Sequence, residues 1–132
     1  MIGDGAKALI RKGLSWHNRD IDEDHLDAEQ WPLFLDHYLA NICRLSHLYD
    51  GAGAALMELS EAGATLAVCT NKAQRLAEEV LNGLGLASQF SAIVGGDAVS
   101  SKKPDGRHMV ETIAKAWGHR SRAIMIGDSQ TD

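Results

Sequence analysis

The stretch AIMIGDSQTD, Ala123 to Asp132, decides how the chain is to be read. Ala123-Ile124-Met125-Ile126 is a short apolar run of the kind that makes a buried strand. Gly127 breaks it, and the polar residues that follow set Asp128 and Asp132 four positions apart. A buried strand running out into an acidic loop is the usual place for chemistry in open α/β sheets, at the carboxyl ends of the strands. Hard carboxylate oxygens on such a loop suit Mg²⁺, which takes one or two carboxylates together with substrate phosphate and water. The plainer alternative is a solvated acidic turn. Asp132, as the last residue of the sequence, is equally readable as a frayed end.

Upstream, two more stretches end in the same way. Ala64–Cys69 (ATLAVC) is a β-compatible run followed by Thr70 and Asn71, and Phe90–Val94 is a further strand followed by Gly95-Gly96-Asp97 and a loop with Lys102, Lys103 and Pro104. Helical patterns separate these strands: Ala52–Glu61 with Gly63 as its stop, Lys72–Leu84 with Leu76, Val80, Leu81 and Leu84 on one face, and Arg107–Trp117 stopped by Gly118. Alternating helix and strand from Ala52 onward predicts βαβ units and a parallel sheet. Before Asp50 the sequence is helical only. An amphipathic helix is expected from Met1 to about Leu14, starting near Asp4 or Gly5, and a second, with Pro32 in its first turn, over Trp31–Tyr49. Between them Asp20, Asp22, Glu23, Asp24 and Asp27 read as an exposed helix N-terminus and its flanking loop rather than a metal site.

Composition sets the bounds. With 132 residues, 45% of them hydrophobic and 23% charged, the chain is one domain's worth of ordinary globular protein with room for a small subdomain. A net charge of −5 speaks against nucleic acid or an anionic membrane as the main partner. Cys43 and Cys69 have neither disulfide nor zinc spacing, which fits a reducing cytoplasm. No apolar run approaches transmembrane length, and no signal peptide precedes the polar start. The six histidines are scattered without metal spacing. Trp16, Trp31 and Trp117 are expected as packing anchors, and Cys69 as a small core residue.

At the strand ends, Thr70 and Asn71 offer a hydroxyl and amides, Lys103 an ammonium, and Asp128 with Asp132 a carboxylate pair. These are the parts needed to hold a phosphate and its Mg²⁺. Amides at the helix start after Asn71 can cradle phosphate oxygens, and the lysine acts as a compact charge against them.

VCTNK (Val68–Lys72), GGDAVSSKKPD (Gly95–Asp105) and IMIGDSQTD (Ile124–Asp132) resemble the second, third and fourth motifs of the haloacid dehalogenase superfamily, its phosphoglycolate phosphatase branch most closely. MIGDGAKALIRKGL (Met1–Leu14) is similar to part of the helical cap of those phosphatases. The resemblance implies a partial Rossmann-like parallel sheet, residues 50–132, preceded by a partial helical cap, residues 1–49. It also implies a Mg²⁺-dependent phosphatase for small phosphorylated metabolites, phosphoglycolate first among them, working through an aspartyl-phosphate. Thr70 and Asn71 would bind the phosphoryl group, Lys103 would pair with phosphate and nucleophile, and Asp128 and Asp132 would serve the metal.

The superfamily's first motif, Asp-x-Asp-Gly-Thr, is absent. Asp20–Asp22 and Asp22–Asp24 are the only Asp-x-Asp pairs ahead of the sheet, and neither follows an apolar strand. The nucleophile is therefore expected outside this chain, which reads as an internal fragment. In the family's sheet the missing strand lies between those ending at Cys69 and Ile126, so two edges should be left unpaired. Gly3-Asp4-Gly5 reads as a helix-entry turn or, less simply, as a substrate-facing element of the cap. Two other functions stay open: a metal-free dehalogenase of the same superfamily, against which the two acids count, and a non-catalytic partner-binding piece.

Overall fold

The computed structural model describes residues 6–19, 21–130 and 132, and its backbone divides into two units, Met1–Ile42 and Cys43–Asp132. The expectations that fall on Gly3, Asp4, Gly5 and Asp20 lie outside the described residues.

In the first unit, α1 (Ala6–Trp16) presents its basic residues to the acidic run that follows. Lys7 pairs with Asp27 and Arg11 with Glu23. Asp22 caps α2 (Glu23–His25), its carboxylate accepting the His25 backbone N–H at 2.8 Å. That is the role the acidic run was expected to have, as a helix N-terminus. The helix continues through a π-helical turn, Leu26–Gln30, into α3 (Trp31–Ala40). Fully buried Leu26 sits on that turn, which packs against both α1 and α3. Trp31, Phe34 and Tyr38 stack along α3 at centroid separations of 5.5 and 5.6 Å.

α3 ends at Ala40, well short of the expected Tyr49. Asn41 leaves the helical region, and its side-chain amide donates to the His37 carbonyl at 2.9 Å. An asparagine that satisfies a terminal carbonyl in this way competes with the next helical turn. The leucine spacing beyond it belongs to no helix, and Leu45 is 89% exposed.

In the second unit α4 (Ala52–Glu61) closes at Gly63, φ +83°, as expected. The Gly63 N–H reaches the Ser60 carbonyl and the Ala64 N–H that of Leu59, both at 2.9 Å, which is the Schellman closure. β1 (Ala67–Cys69), α5 (Gln74–Gly83) and β2 (Ala92–Val94) then form a βαβ unit. The strands are parallel, with Ala67 opposite Ala92, Val68 opposite Ile93 and Cys69 opposite Val94. Asp105 caps α6 (Gly106–Lys115), accepting the Arg107 N–H at 2.9 Å. α6 packs on both strands and α5 on β2. Leu76, Ala77, Leu86, Val94 and Ala116 are buried there, together with His108 and Thr112. The His108 ring bonds through Nε2 to the Val94 carbonyl at 3.2 Å, while its Nδ1 has no partner among the described residues.

The α/β architecture with a small parallel sheet agrees with expectation, but three details differ. Both strands are shorter than their apolar runs, because pairing extends only from the Ser91 N–H bond to the Leu66 carbonyl to the Thr70 N–H bond to the Val94 carbonyl. Ala123 has extended backbone, but Ala123–Ile126 pairs with no strand among the described residues. It keeps a strand's alternation, with Ala123 and Met125 half-buried and Ile124 and Ile126 exposed at 89% and 81%. Trp16 and Trp117 are not packing anchors within their units: Trp16, the last residue of α1, is exposed, with the Lys12 ammonium 5.6 Å from its ring centroid, and Trp117 is exposed on the turn after α6.

Candidate active site

Thr70 follows β1 directly, and its backbone N–H bonds to the Val94 carbonyl at 3.0 Å, which ties it to the end of β2. Its hydroxyl oxygen accepts the Lys72 backbone N–H at 3.2 Å. With that lone pair engaged, the hydroxyl proton is directed away from the turn and is suited to donate to an oxyanion.

Asn71 and Lys103, 32 positions apart, are joined by a reciprocal pair. The Asn71 amide nitrogen donates to the Lys103 carbonyl and its oxygen accepts the Lys103 N–H, both at 2.9 Å. The side chain of Asn71 thus acts like a short piece of strand that holds the backbone of the Lys103 loop. One amide hydrogen of Asn71 is left for a ligand. Lys103 precedes a cis peptide to Pro104.

The Lys103 ammonium forms an ion pair with Asp132, the two side chains being only 14% and 12% exposed. The other Asp132 carboxylate oxygen accepts the Ser129 N–H at 3.0 Å and the Ser129 hydroxyl at 2.9 Å. These contacts hold the Asp132 carboxyl below its ordinary 3.8, at about 2, the Lys103 hydrogen bond being the larger cause and Ser129 the next. Asp132 folds back over Gly127, where an added Cβ would lie 2.2 Å from the aspartate Cβ. Gly127 is thus needed by close approach. Asp128, on the same loop, is exposed and has no hydrogen bond or ion pair among the described residues.

Thr70–Asn71, Lys103 and Asp132 are therefore brought into one linked cluster, and Asp128 stands beside it on the Asp132 loop. Asp128 and Asp132 set carboxylate oxygens on a single loop, the donor type that Mg²⁺ accepts. Among the described residues no third acid, histidine or cysteine joins them.

Two of the amides around the helix start, where a phosphate cradle was expected, are already engaged. The Gln74 N–H, at the start of α5, donates to the Asp97 carboxylate at 2.6 Å, and the Lys72 N–H to Thr70. Asp97 and Gln74 are the parts of this region that sequence reasoning missed. The glycine pair before Asp97 was the available signal, since adjacent glycines after a strand mark a close backbone approach.

The chain has relatives among known proteins. The family model described as haloacid dehalogenase-like hydrolase matches residues 9–132. The chain is 41% identical over 132 residues to a phosphoglycolate phosphatase of Agrobacterium fabrum, and 40% identical over 131 residues to one of Mesorhizobium japonicum. These alignments cover 100% and 99% of the chain but 56% and 57% of the relatives, so the chain spans little more than half their length. The crystal structure of a predicted phosphoglycolate phosphatase from Haemophilus somnus superposes with a TM-score of 0.76 at 27% identity, over 89% of this chain and 53% of that one. No helix among the described residues is long and apolar enough to cross a membrane.

Proposed function

The chain belongs to the haloacid dehalogenase-like hydrolase family, and from that premise we propose that it is the cap and much of the core of a Mg²⁺-dependent phosphatase for small phosphate monoesters, phosphoglycolate first among them. The single observation that carries this reading is the linkage of Asn71, Lys103 and Asp132, drawn from three separate stretches, at the carboxyl end of β1. Residues 1–49 are the cap and 50–132 the core in this reading, and the aspartate nucleophile lies outside the 132 residues.

Each side chain has a distinct task. Thr70 donates its hydroxyl proton to a phosphoryl oxygen. Asn71 fixes the Lys103 loop and offers its remaining amide hydrogen to the same group. Lys103, with two ammonium hydrogens beyond the one shared with Asp132, neutralises charge on the phosphoryl oxygens as it shifts in the transition state. Asp132 keeps the lysine aimed through their ion pair. Asp128 and Asp132 would hold Mg²⁺, which when bound offsets the combined charge of phosphate and nucleophile.

The test uses the full-length protein. Asp128→Asn replaces a charged oxygen donor by a neutral amide of equal size and should weaken the Mg²⁺ dependence of turnover by roughly 10–100-fold. Lys103→Ala should cut turnover about 100-fold or more while Mg²⁺ affinity changes less, because the lysine is no ligand. Steady-state rates against Mg²⁺ concentration separate the two. Unchanged Mg²⁺ dependence in Asp128→Asn would remove the Gly127–Asp132 loop as the metal site.

A further inference from the structure

Gln74 was expected only as part of a helix's first turn, yet its side chain is half-buried and bonded on every side. Its amide oxygen accepts the Gly95 N–H at 2.6 Å, and its amide nitrogen donates to the Ile93 carbonyl at 2.8 Å and to the Glu78 carboxylate at 2.6 Å. The orientation of the amide is fixed by its partners, since a backbone N–H can only donate and a carbonyl can only accept. Ile93 and Gly95 flank Val94, whose own carbonyl accepts the N–H of Thr70, the residue just after β1. One carboxamide therefore stands in for a strand on the edge of β2 that β1 does not cover, and satisfies groups that would otherwise need a third strand.

The same junction is tied at two further points. The Gln74 N–H is held by Asp97 at 2.6 Å, and the Gly96 N–H donates to the Lys72 carbonyl at 2.9 Å. The approach is too close for any side chain: an added Cβ at Gly95 would lie 2.4 Å from the Gln74 nitrogen, and one at Gly96 2.7 Å from the Asn71 oxygen. The segment carrying Thr70 and Asn71 is thereby fastened to the segment that leads on to Lys103.

We propose that Gln74, with Asp97, is a positioning device that fixes the Gly95–Asp97 turn against Asn71–Gln74 and so sets the place of Lys103 relative to Thr70. Its catalytic consequence rests on the phosphatase reading above; its structural consequence does not. Neither residue touches the reacting group, and each acts through the backbone that carries Asn71 or Lys103.

The decisive variant is Gln74→Glu in the full-length protein at neutral pH. It keeps shape and the acceptor for Gly95, but removes the donor and sets a carboxylate against the Ile93 carbonyl and Glu78. A part-buried carbonyl left without its donor should speed exchange of the Lys103 N–H, followed by NMR, by roughly tenfold. Turnover of a small phosphate monoester per folded molecule should fall by about the same factor. Asp97→Asn retains an oxygen acceptor for the Gln74 N–H and should stay near wild type in both measurements, whereas Asp97→Ala should not. Support role alone would lower the melting temperature and leave Lys103 exchange and turnover per folded molecule unchanged, and that result overturns the proposal. If the wild-type protein hydrolyses no phosphate monoester, the functional reading fails, and the exchange measurement still decides the positioning role.

Discussion

Asp132 lies between the Lys103 ammonium on one carboxylate oxygen and the Ser129 amide and hydroxyl on the other. All three donors favour the charged form, so the carboxyl titrates at about 2 instead of 3.8, the lysine contributing most. The folded-state value is depressed, so this contact's stabilisation is complete above about 4 and is lost as pH falls from there through 2. In a ¹³C titration of the side-chain carboxyl, wild type should show the low midpoint, and Lys103→Met should move it back toward 3.8. An unmoved midpoint would mean that Lys103 does not hold the carboxylate. At this scale the sequence was informative about residue types: a hydroxyl, an amide, an ammonium and two carboxylates at strand ends. It was silent on who bonds whom. The Asn71–Lys103 pair and the Gln74 bridge to β2 join positions far apart in the chain, and no periodicity encodes such a meeting.

Helix ends show where local chemistry was readable and where it misled. α1, α4, α5 and α6 all close with the same pair of bonds, and the residue in the left-handed region is Asn18, Gly63, Gly85 and Trp117 in turn. The first three are the residues that tolerate that conformation. Trp117 is not, and the sequence pointed to its neighbour Gly118, which instead sits close to Ile113, 3.1 Å from an added Cβ to the Ile113 methyl. Trp117 has φ +58° and is 95% exposed, so it carries the steric cost of the left-handed region with little packing in return. Trp117→Gly should therefore raise stability by about 1 kcal/mol, read as a higher urea midpoint of the full-length protein. A lower midpoint would show that the indole is bound by contacts outside these residues. The premature end of α3 has the same kind of cause: leucine spacing marks a face, but it does not report a capping asparagine, so the apparent helix over Trp31–Tyr49 stopped at Asn41.

Across the whole chain, the parallel sheet is the least complete part. β1 and β2 are three residues each, and a two-stranded sheet has little independent stability. Ala123–Ile126 keeps the alternation of a strand with no strand to pair with among the described residues, and Ile124 and Ile126 are almost bare. Such an edge offers unpaired backbone groups beside exposed apolar side chains, the combination that promotes association between chains. The resemblance to the superfamily implied such an unpaired edge, because the family's first motif, Asp-x-Asp-Gly-Thr, would form a strand between those ending at Cys69 and Ile126 and is absent from the sequence. The 132-residue chain produced alone should bind an anilinonaphthalene dye strongly and grow into larger species with concentration, whereas the full-length protein should do neither. The same chain should also show no Mg²⁺-dependent turnover of phosphoglycolate or p-nitrophenyl phosphate, since in the proposed reading the cluster of Thr70, Asn71, Lys103 and Asp132 would bind and orient substrate but supplies no aspartate in position to attack phosphorus. Dye fluorescence, sedimentation and a phosphate-release assay on one preparation test both expectations together. A dye-silent monomer with a sharp reversible melt would mean that the bare Ile124–Ile126 face is covered within the chain itself, and chelator-sensitive turnover by that monomer would place the nucleophile inside residues 1–132.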